Sequence, residues 1–345
     1  MEFCTKAVIL KTFGSYNCLT VDKFPLPPLN KKVEVEVHYC GMNFADLYTR
    51  QGLMTDCKLP FVLGIECSGV IKNIGNDIEN CSLKVGQRVL CYDYQGGMYQ
   101  DIIRISPEKC YPLPDDISLE DGAAVFVNYL TAYFALFDLG NLKPNETVLI
   151  QSCAGGVGCA ATQLSKTIEG VKVVGSASQT KEEAAKANGV DNVVSYDNLE
   201  NQIQSIYPEG LDLIIDNQAG KSFQSLQNLL KPLGRIALIG ANNIIQNDKK
   251  LSALTLLKAW WNMKEISPTS LIVNNRSVSG LHLGILAQKE RTKICETLDT
   301  LFVLMREGKI KPKIDSIWPL EDVVTATKIL AERCNVGKVL LSINK

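Results

Sequence analysis

Hydrophobic and polar positions change rhythm about a third of the way along this chain. Up to residue 120 the apolar positions fall in short alternating or unbroken runs: KAVIL, KKVEVEVHYC, FVLGIECSGVIKNIG, VGQRVLCY and YQDIIRI. Pro- and Gly-rich breaks such as FPLPPLN and YPLPDD separate them, which predicts an all-β region with helices only at its edges, NFADLYTRQG being one. From SLEDGAAVF onward six strand-like runs, TVLIQS, VKVVGS, NVVSY, LDLIIDN, GRIALIG and SVSGLHLG, alternate with helix-compatible segments. Such alternation predicts a six-stranded, doubly wound parallel sheet with helices on both faces. The chain closes with the helical stretch KERTKICETLDTLFVLMREG, the strand KPKIDSIWP, the helix EDVVTATKILAERC and the strand KVLLSI. Residues 122–137 carry no charge. That run is shorter than the roughly 20 residues a bilayer requires, and Asn128 and Thr131 interrupt it, so it reads as a buried helix joining two domains.

The densest chemical signal is TVLIQSCAGGVG, residues 147–158, where a strand-length run ends in a glycine cluster and the helical CAATQLSKTIEG follows. A strand, a tight turn and a helix in that order present a helix N-terminus to a phosphate. Gly155 and Gly158 take the second and third positions of G-x-G-x-x-G, with Gly156 and Val157 between them. The first position is Cys153, so the motif is incomplete and taken alone also fits an ordinary strand-to-helix turn. The next strand, VKVVG, is expected to end beside the ribose of a bound adenine nucleotide, where an NAD site places Asp or Glu. This chain has Gly175-Ser176-Ala177-Ser178, then Lys181 and, further on, Tyr196. Hydroxyls, a cation and a phenol suit a 2′-phosphate, and the missing carboxylate removes a repulsion, so NADPH is the expected cofactor. The competing reading makes Lys181 a solvated helix residue and Tyr196 a half-buried edge aromatic.

At 345 residues the chain exceeds what one core usually fills, which favours two domains. With 36 basic against 37 acidic side chains there is no electrostatic footprint for nucleic acid. The 12 cysteines are scattered singly without a C-x-x-C pair, a pattern of reduced thiols in a cytoplasmic protein rather than of a structural zinc site. The opening MEFCTKAVIL begins directly as a strand and has no targeting pattern, which again points to the cytoplasm. His38 and His282 have no acid or nucleophile at motif spacing and read as structural.

On NFADLYTRQG, LGIECSGV, VGQRV, VNYLTAYFAL, AGGVG and the closing NVGKVLL, the chain resembles the medium-chain dehydrogenase/reductases of the zinc-independent quinone oxidoreductase branch over nearly its whole length. The resemblance implies an α/β architecture: a GroES-like β-rich catalytic domain from residues 1–125 and 285–345, and a Rossmann NADP-binding domain from 126–284. Zinc-dependent relatives hold their metal through a Cys three residues before an Asp and through the His of a G-H-E turn. The matching positions here are Asn43, three residues before Asp46, and Ile65 in Gly64-Ile65-Glu66. An amide and an isoleucine supply neither thiolate nor imidazole, so no catalytic metal is expected. Without a Lewis acid, hydride transfer to quinones or conjugated carbonyls is the easier chemistry, because the charge spreads over the acceptor. The resemblance further implies that Asn43, Asp46 and Tyr48 line the nicotinamide cleft, Asn43 and Tyr48 by offering hydrogen bonds and Asp46 either there or as a support for its loop. Met54 stands where these relatives commonly have an aromatic. Thr131, Gly155, Gly156, Val157, Gly158, Ser176, Lys181, Tyr196, Asn217 and Asn335 are the implied cofactor contacts.

Within that branch, LLKPLGRIALIGAN, AWWN, GLHLG and GKIKPKIDSIWPLEDV are most similar to a subfamily associated with vesicle and mitochondrial membranes and with phospholipid transfer. The alternative function is therefore that of a lipid-binding or phospholipid-transfer protein which keeps the NADP-binding fold and attaches peripherally to a vesicle or to the mitochondrial outer membrane. Residues 242–275 bear on it: Trp260-Trp261 and the neighbouring leucines suit a membrane interface, with Lys249, Lys250, Lys258 and Lys264 near the headgroups. A dimer-interface or cleft-covering helix pair is the competing reading of that segment. The resemblance also implies a homodimer through the GLHLG strand edge.

Overall fold

The computed structural model describes residues 3–53, 57–78, 81–220, 222–244 and 266–343. Met54, the Trp260-Trp261 pair and the four lysines of that insert lie outside the described residues. The first eight strands are β1 (Cys4–Leu10), β2 (Leu19–Pro25), β3 (Val33–Gly41), β4 (Phe61–Val62), β5 (Glu66–Ile74), β6 (Arg88–Tyr92), β7 (Ile102–Ile105) and β8 (Cys110–Pro112). The alternation in VEVEV works as expected, with Val33, Val35 and Val37 sealed in the core while Glu34 turns to Arg104 at 2.7 Å. β2 and β8 were not legible in the sequence, since each is an edge strand with little alternation to reveal it. Helix α1 (Phe44–Gln51) follows β3 and ends at Gly52, whose φ of 81° is a left-handed cap.

Helix α2 (Leu119–Tyr133) starts at Ser118, whose hydroxyl accepts the Asp121 N–H at 2.9 Å, and continues through a π-helical turn to Leu139. The resulting 21-residue apolar helix is longer than the uncharged run suggested, and 72% of its most apolar window is buried inside the molecule. It packs on helix α3 (Gly156–Ser165) and β5, between the two regions of different rhythm.

All six strand-like runs of the second region are strands: β9 (Thr147–Ile150), β10 (Lys172–Ser176), β11 (Asn192–Val194), β12 (Leu211–Asp216), β13 (Leu230–Leu238) and β14 (Ser277–Gly280). They form one parallel sheet in the order β11-β10-β9-β12-β13-β14. The order reverses between β9 and β12, and the crevice at such a switch point, beyond the carboxyl ends of the strands, is where doubly wound sheets take ligands. GLHLG is not strand throughout: β14 stops at Gly280, and a helix begins at Leu283 because the His282 ring accepts the Ile285 N–H and caps it. The chain then returns to the first region, where β15 (Ile314–Pro319) and β16 (Lys338–Ser342) complete the order β15-β16-β3-β5-β6-β8, with β7 on β3. A parallel bridge between Gly155 and Gly337 ties the glycine turn to the start of β16.

Candidate active site

A cleft of about 640 Å³ opens at the switch point, and the glycine turn, α1, the end of β12 and the approach to β16 all border it. The turn has the shape the motif requires. A Cβ on Gly158 would lie 2.3 Å from the Ser152 carbonyl oxygen, and one on Gly156 would lie 2.4 Å from the Asn128 amide nitrogen. The first helical bond of α3 runs from Cys159 N to Gly155 O, so the N–H groups of Gly156, Val157 and Gly158 have no partner within the helix. Cys153, where the motif has its first glycine, is fully buried, and burial pushes its thiol up to about 12. Its sulfur occupies the space a side chain on Gly175 would need, 2.4 Å from such a Cβ. Gly175 is thus a packing glycine inside β10 and not the position facing the ribose. The strand-end residues that border the cleft are Ala177 and Ser178, and neither is a carboxylate.

Of the residues singled out in the sequence, Asn43, Tyr48, Thr131, Gly155, Gly156, Val157, Gly158, Lys181, Tyr196, Asn217 and Asn335 border this one cleft. Ser176 does not: it is sealed behind the turn, where its hydroxyl accepts the Ser152 N–H at 3.0 Å. Asp46 also lies behind the cleft wall, buried, accepting hydrogen bonds from Tyr99 OH at 2.7 Å and from Asn43 N at 2.8 Å. Burial raises its carboxyl to about 7, against the opposing pull of those donors and of Lys338. Asp46 therefore shapes the α1 loop and does not reach the cleft.

Lys181 is not a free cation. Its ammonium, half-buried with a pKa that burial lowers, donates to the carbonyls of Arg333 and Asn335, each at 2.6 Å. Tyr196 is half exposed and donates to the Ser152 hydroxyl at 3.3 Å. Arg333 borders the cleft beside them, and its own Nη2 donates to the Asn242 carbonyl at 3.1 Å. It sits in a helix-to-strand loop far along the chain, with no local motif to mark it.

The floor holds a network the sequence did not reveal. The Lys338 ammonium pairs with Glu66 and donates to Asn43 Oδ1 at 2.7 Å, with both charged side chains at most 3% exposed. Asn43 in turn gives both amide hydrogens away, to Glu66 Oε1 at 2.9 Å and to the Gly41 carbonyl at 3.0 Å. The remaining Glu66 oxygen accepts the Val127 N–H at 2.9 Å. Asn43 therefore has no N–H left to offer, which corrects the expectation that it would donate into the cleft. Tyr48 keeps a hydroxyl at the cleft wall, but its proton goes to Asn242 Oδ1 at 2.8 Å, and its oxygen receives the Ala241 N–H at 3.3 Å. Zinc does not fit this donor set: Ile65 is apolar, the Asn43 amide is committed, and a cation is already seated against Glu66.

Comparison with known proteins matches this geometry. Residues 30–115 match the alcohol dehydrogenase GroES-like domain, and residues 156–299 match the family described as zinc-binding dehydrogenase. The synaptic vesicle membrane protein VAT-1 homolog of Danio rerio is 40% identical over 346 residues, 99% of this chain and 70% of that protein. The crystal structure of the human synaptic vesicle membrane protein VAT-1 homolog-like protein superposes with a TM-score of 0.84 at 30% identity, covering 100% of this chain and 99% of that one. The Escherichia coli quinone oxidoreductase complexed with NADPH gives 0.84 at 25% identity, covering 98% of this chain and 100% of that one. With a GroES-like β region, a Rossmann-like parallel sheet, a glycine turn on the cleft between them and no zinc-binding group on its floor, the chain belongs to the medium-chain dehydrogenase/reductase family, alongside the VAT-1 homologues and near the quinone oxidoreductases.

Proposed function

We propose that the protein is an NADPH-dependent, zinc-independent oxidoreductase that transfers hydride to quinones or conjugated carbonyls. The observation that carries the reading is the cleft itself. One cavity joins a phosphate-ready glycine turn, with cradles at Gly156 and Gly158 that any side chain would fill, to an apolar wall of Ile65, Tyr92, Val127 and Leu283. The residues fit a dinucleotide: Gly156, Val157 and Gly158 would meet the pyrophosphate, Ser178, Lys181, Tyr196 and Arg333 the adenosine end, and Thr131, Asn217 and Asn335 the walls between. When bound, the cofactor supplies the hydride; the protein holds the acceptor in place and excludes water, positioning worth on the order of 7 to 11 kcal/mol at its upper end.

The test is NADPH oxidation by the purified protein with a panel of quinones and enals, before and after exhaustive chelation. Turnover that survives chelation is expected; dependence on one stoichiometric zinc per chain would overturn the metal-free reading. In fluorescence titration NADPH is expected to bind more tightly than NADH, and Lys181→Ala to narrow the gap by about 1 to 3 kcal/mol, with part of that loss passing through Arg333 and Asn335, which Lys181 holds. Equal affinities for the two cofactors would sink the assignment.

A second reading, peripheral attachment to a membrane from the cytoplasm, is favoured by one surface. Leu233, Ile272 and Val273 are each at least 75% exposed, and Leu233 N–H bonds the Asn275 carbonyl, which brings them together beside β14. The names of the VAT-1 relatives concern vesicle membranes, and the competing occupant of this edge is a second copy of the chain in a homodimer. Replacing Ile272 and Val273 with Ser is expected to release the protein from anionic liposomes; a variant that still pellets but loses self-association on a sizing column would assign the edge to contact between copies.

A further inference from the structure

His282 has no part in the proposed cofactor contacts, yet it borders the cleft and is held in one orientation. Its Nδ1 accepts the Ile285 N–H at 3.2 Å, so the ring proton sits on Nε2. The ring packs edge-on against Tyr94, with centroids 5.9 Å apart at 87°. Gly284 is what admits both: a Cβ there would lie 2.7 Å from the Tyr94 side chain and 3.0 Å from His282 Cε1. Tyr94 lies two residues past β6, and the intervening Asp93 donates its N–H to the Ile65 carbonyl at 2.9 Å. His282 and Tyr94 thus stand on the Ile65 side of the cleft, where zinc-dependent relatives have a metal ligand and this chain has none.

A carbonyl oxygen bound on that side needs a donor; three polar side chains of the cleft are committed elsewhere, and His282 shares the Ile65 side with the hydroxyls of Tyr92 and Tyr94. Asn43 has given both amide hydrogens to Gly41 and Glu66, the Tyr48 proton is on Asn242, and the Lys338 ammonium is sealed against Glu66 and Asn43. Among the described residues, His282 Nε2–H has no protein acceptor and belongs to a ring that cannot turn without losing its cap. We infer that His282 is the residue that recognises the acceptor, donating from Nε2 to the carbonyl oxygen of a cyclic or aryl-conjugated ketone or quinone. It makes a hydrogen bond only; no bond of the ring is formed or broken. Such a donor stabilises charge developing on the oxygen during reduction. The inference rests on the oxidoreductase reading for its substrate class.

The experiment compares a ketone with its hydrocarbon shape. Wild-type protein, with NADP⁺ present, is titrated with 1-tetralone and with tetralin by ligand-detected NMR. A preference for the ketone of roughly 3- to 10-fold is expected, the range of one neutral hydrogen bond. His282→Asn and His282→Ser both retain an oxygen that can cap the following helix, so the fold should survive, as thermal melting will check, while the ketone preference disappears. Persistence of the preference in both variants, its absence from wild type, or its loss in Tyr94→Phe with His282→Asn unaffected would each overturn the assignment. A His282-dependent preference in a protein that oxidises no NADPH with any enone would leave the assignment standing and remove the hydride-transfer reading. Turnover with no His282-dependent preference would do the reverse.

Discussion

A carboxylate sealed behind the cleft wall makes Asp46 a residue whose charge state the fold disfavours. Its folded pKa, about 7, lies above the usual carboxylate value, so between roughly pH 4 and 7 the folded state binds a proton that the unfolded chain has released. Its contribution to stability is full at low pH and is lost as pH rises through 7. Asp46→Asn removes that titration: relative to wild type, the variant is expected to gain stability progressively from pH 4 to pH 8, by on the order of a few kcal/mol, in urea melts at each pH. A constant difference across that range would show that Asp46 does not titrate there. Lys338 presents the opposite case, a buried cation whose partner is in place. Lys338→Met leaves Glu66 uncompensated at the cleft floor and is expected to destabilise the protein by about 3 to 5 kcal/mol. Adding Glu66→Gln should recover much of the loss, and strictly additive effects in the double mutant would deny the coupling.

At the scale of elements, the strand-turn-helix unit from β9 to α3 packs against its neighbour β10 through the Cys153 side chain. Gly175→Ala in β10 is expected to destabilise by about 1 to 3 kcal/mol, because the new methyl meets Cys153 Sγ and Cβ. Cys153→Gly clears both atoms, completes the G-x-G-x-x-G spacing, and should largely rescue Gly175→Ala in chemical denaturation. If it does not, the remaining contact at Val190 governs the site. The same unit explains why its signal was readable: the apolar run, the glycines and the helix that follows are local in sequence, and their geometry is dictated by backbone sterics. Its partners were not readable, since Ser176 bonds behind the turn and not at its mouth, and period-two alternation cannot tell those two places apart.

For the whole molecule, the β-rich region and the parallel-sheet region are joined by ties that border the cleft, among them Gly155 with Gly337, Tyr48 with Asn242, and Lys181 with Arg333 and Asn335. A dinucleotide in the cleft would engage both sides of these ties and none of them in the unfolded chain. Saturating NADPH is therefore expected to raise stability by about 2.7 kcal/mol at a hundredfold excess over Kd, read as an upward shift of the melting temperature, with a smaller shift for NADH at equal concentration. No shift with either would contradict a cofactor cleft here. The cysteines follow the same lesson of distance: scattered singly in sequence, Cys40, Cys67, Cys91 and Cys110 stand in cross-strand register on β3, β5, β6 and β8, with the last two sulfurs 3.7 Å apart. All four are buried, and among the described residues no group suited to a metal ion forms.

By itself the sequence determined most of the succession of elements, the parallel character of the second sheet and the glycine turn, since hydrophobic period and backbone sterics act over a few neighbouring residues, whereas the order of strands within the sheet is a matter of remote pairing. It also determined that zinc ligands are missing, because Asn43 and Ile65 lack the atoms whatever surrounds them. Tertiary structure alone decided where the charges and hydrogens went. Lys338 reaches Glu66 across 272 residues, Lys181 turns to carbonyls more than 150 residues away, and Asn43 spends its amide inward. A hydrogen bond depends on direction and on distances of about 3 Å, and a chain sets those between remote residues only when it has packed.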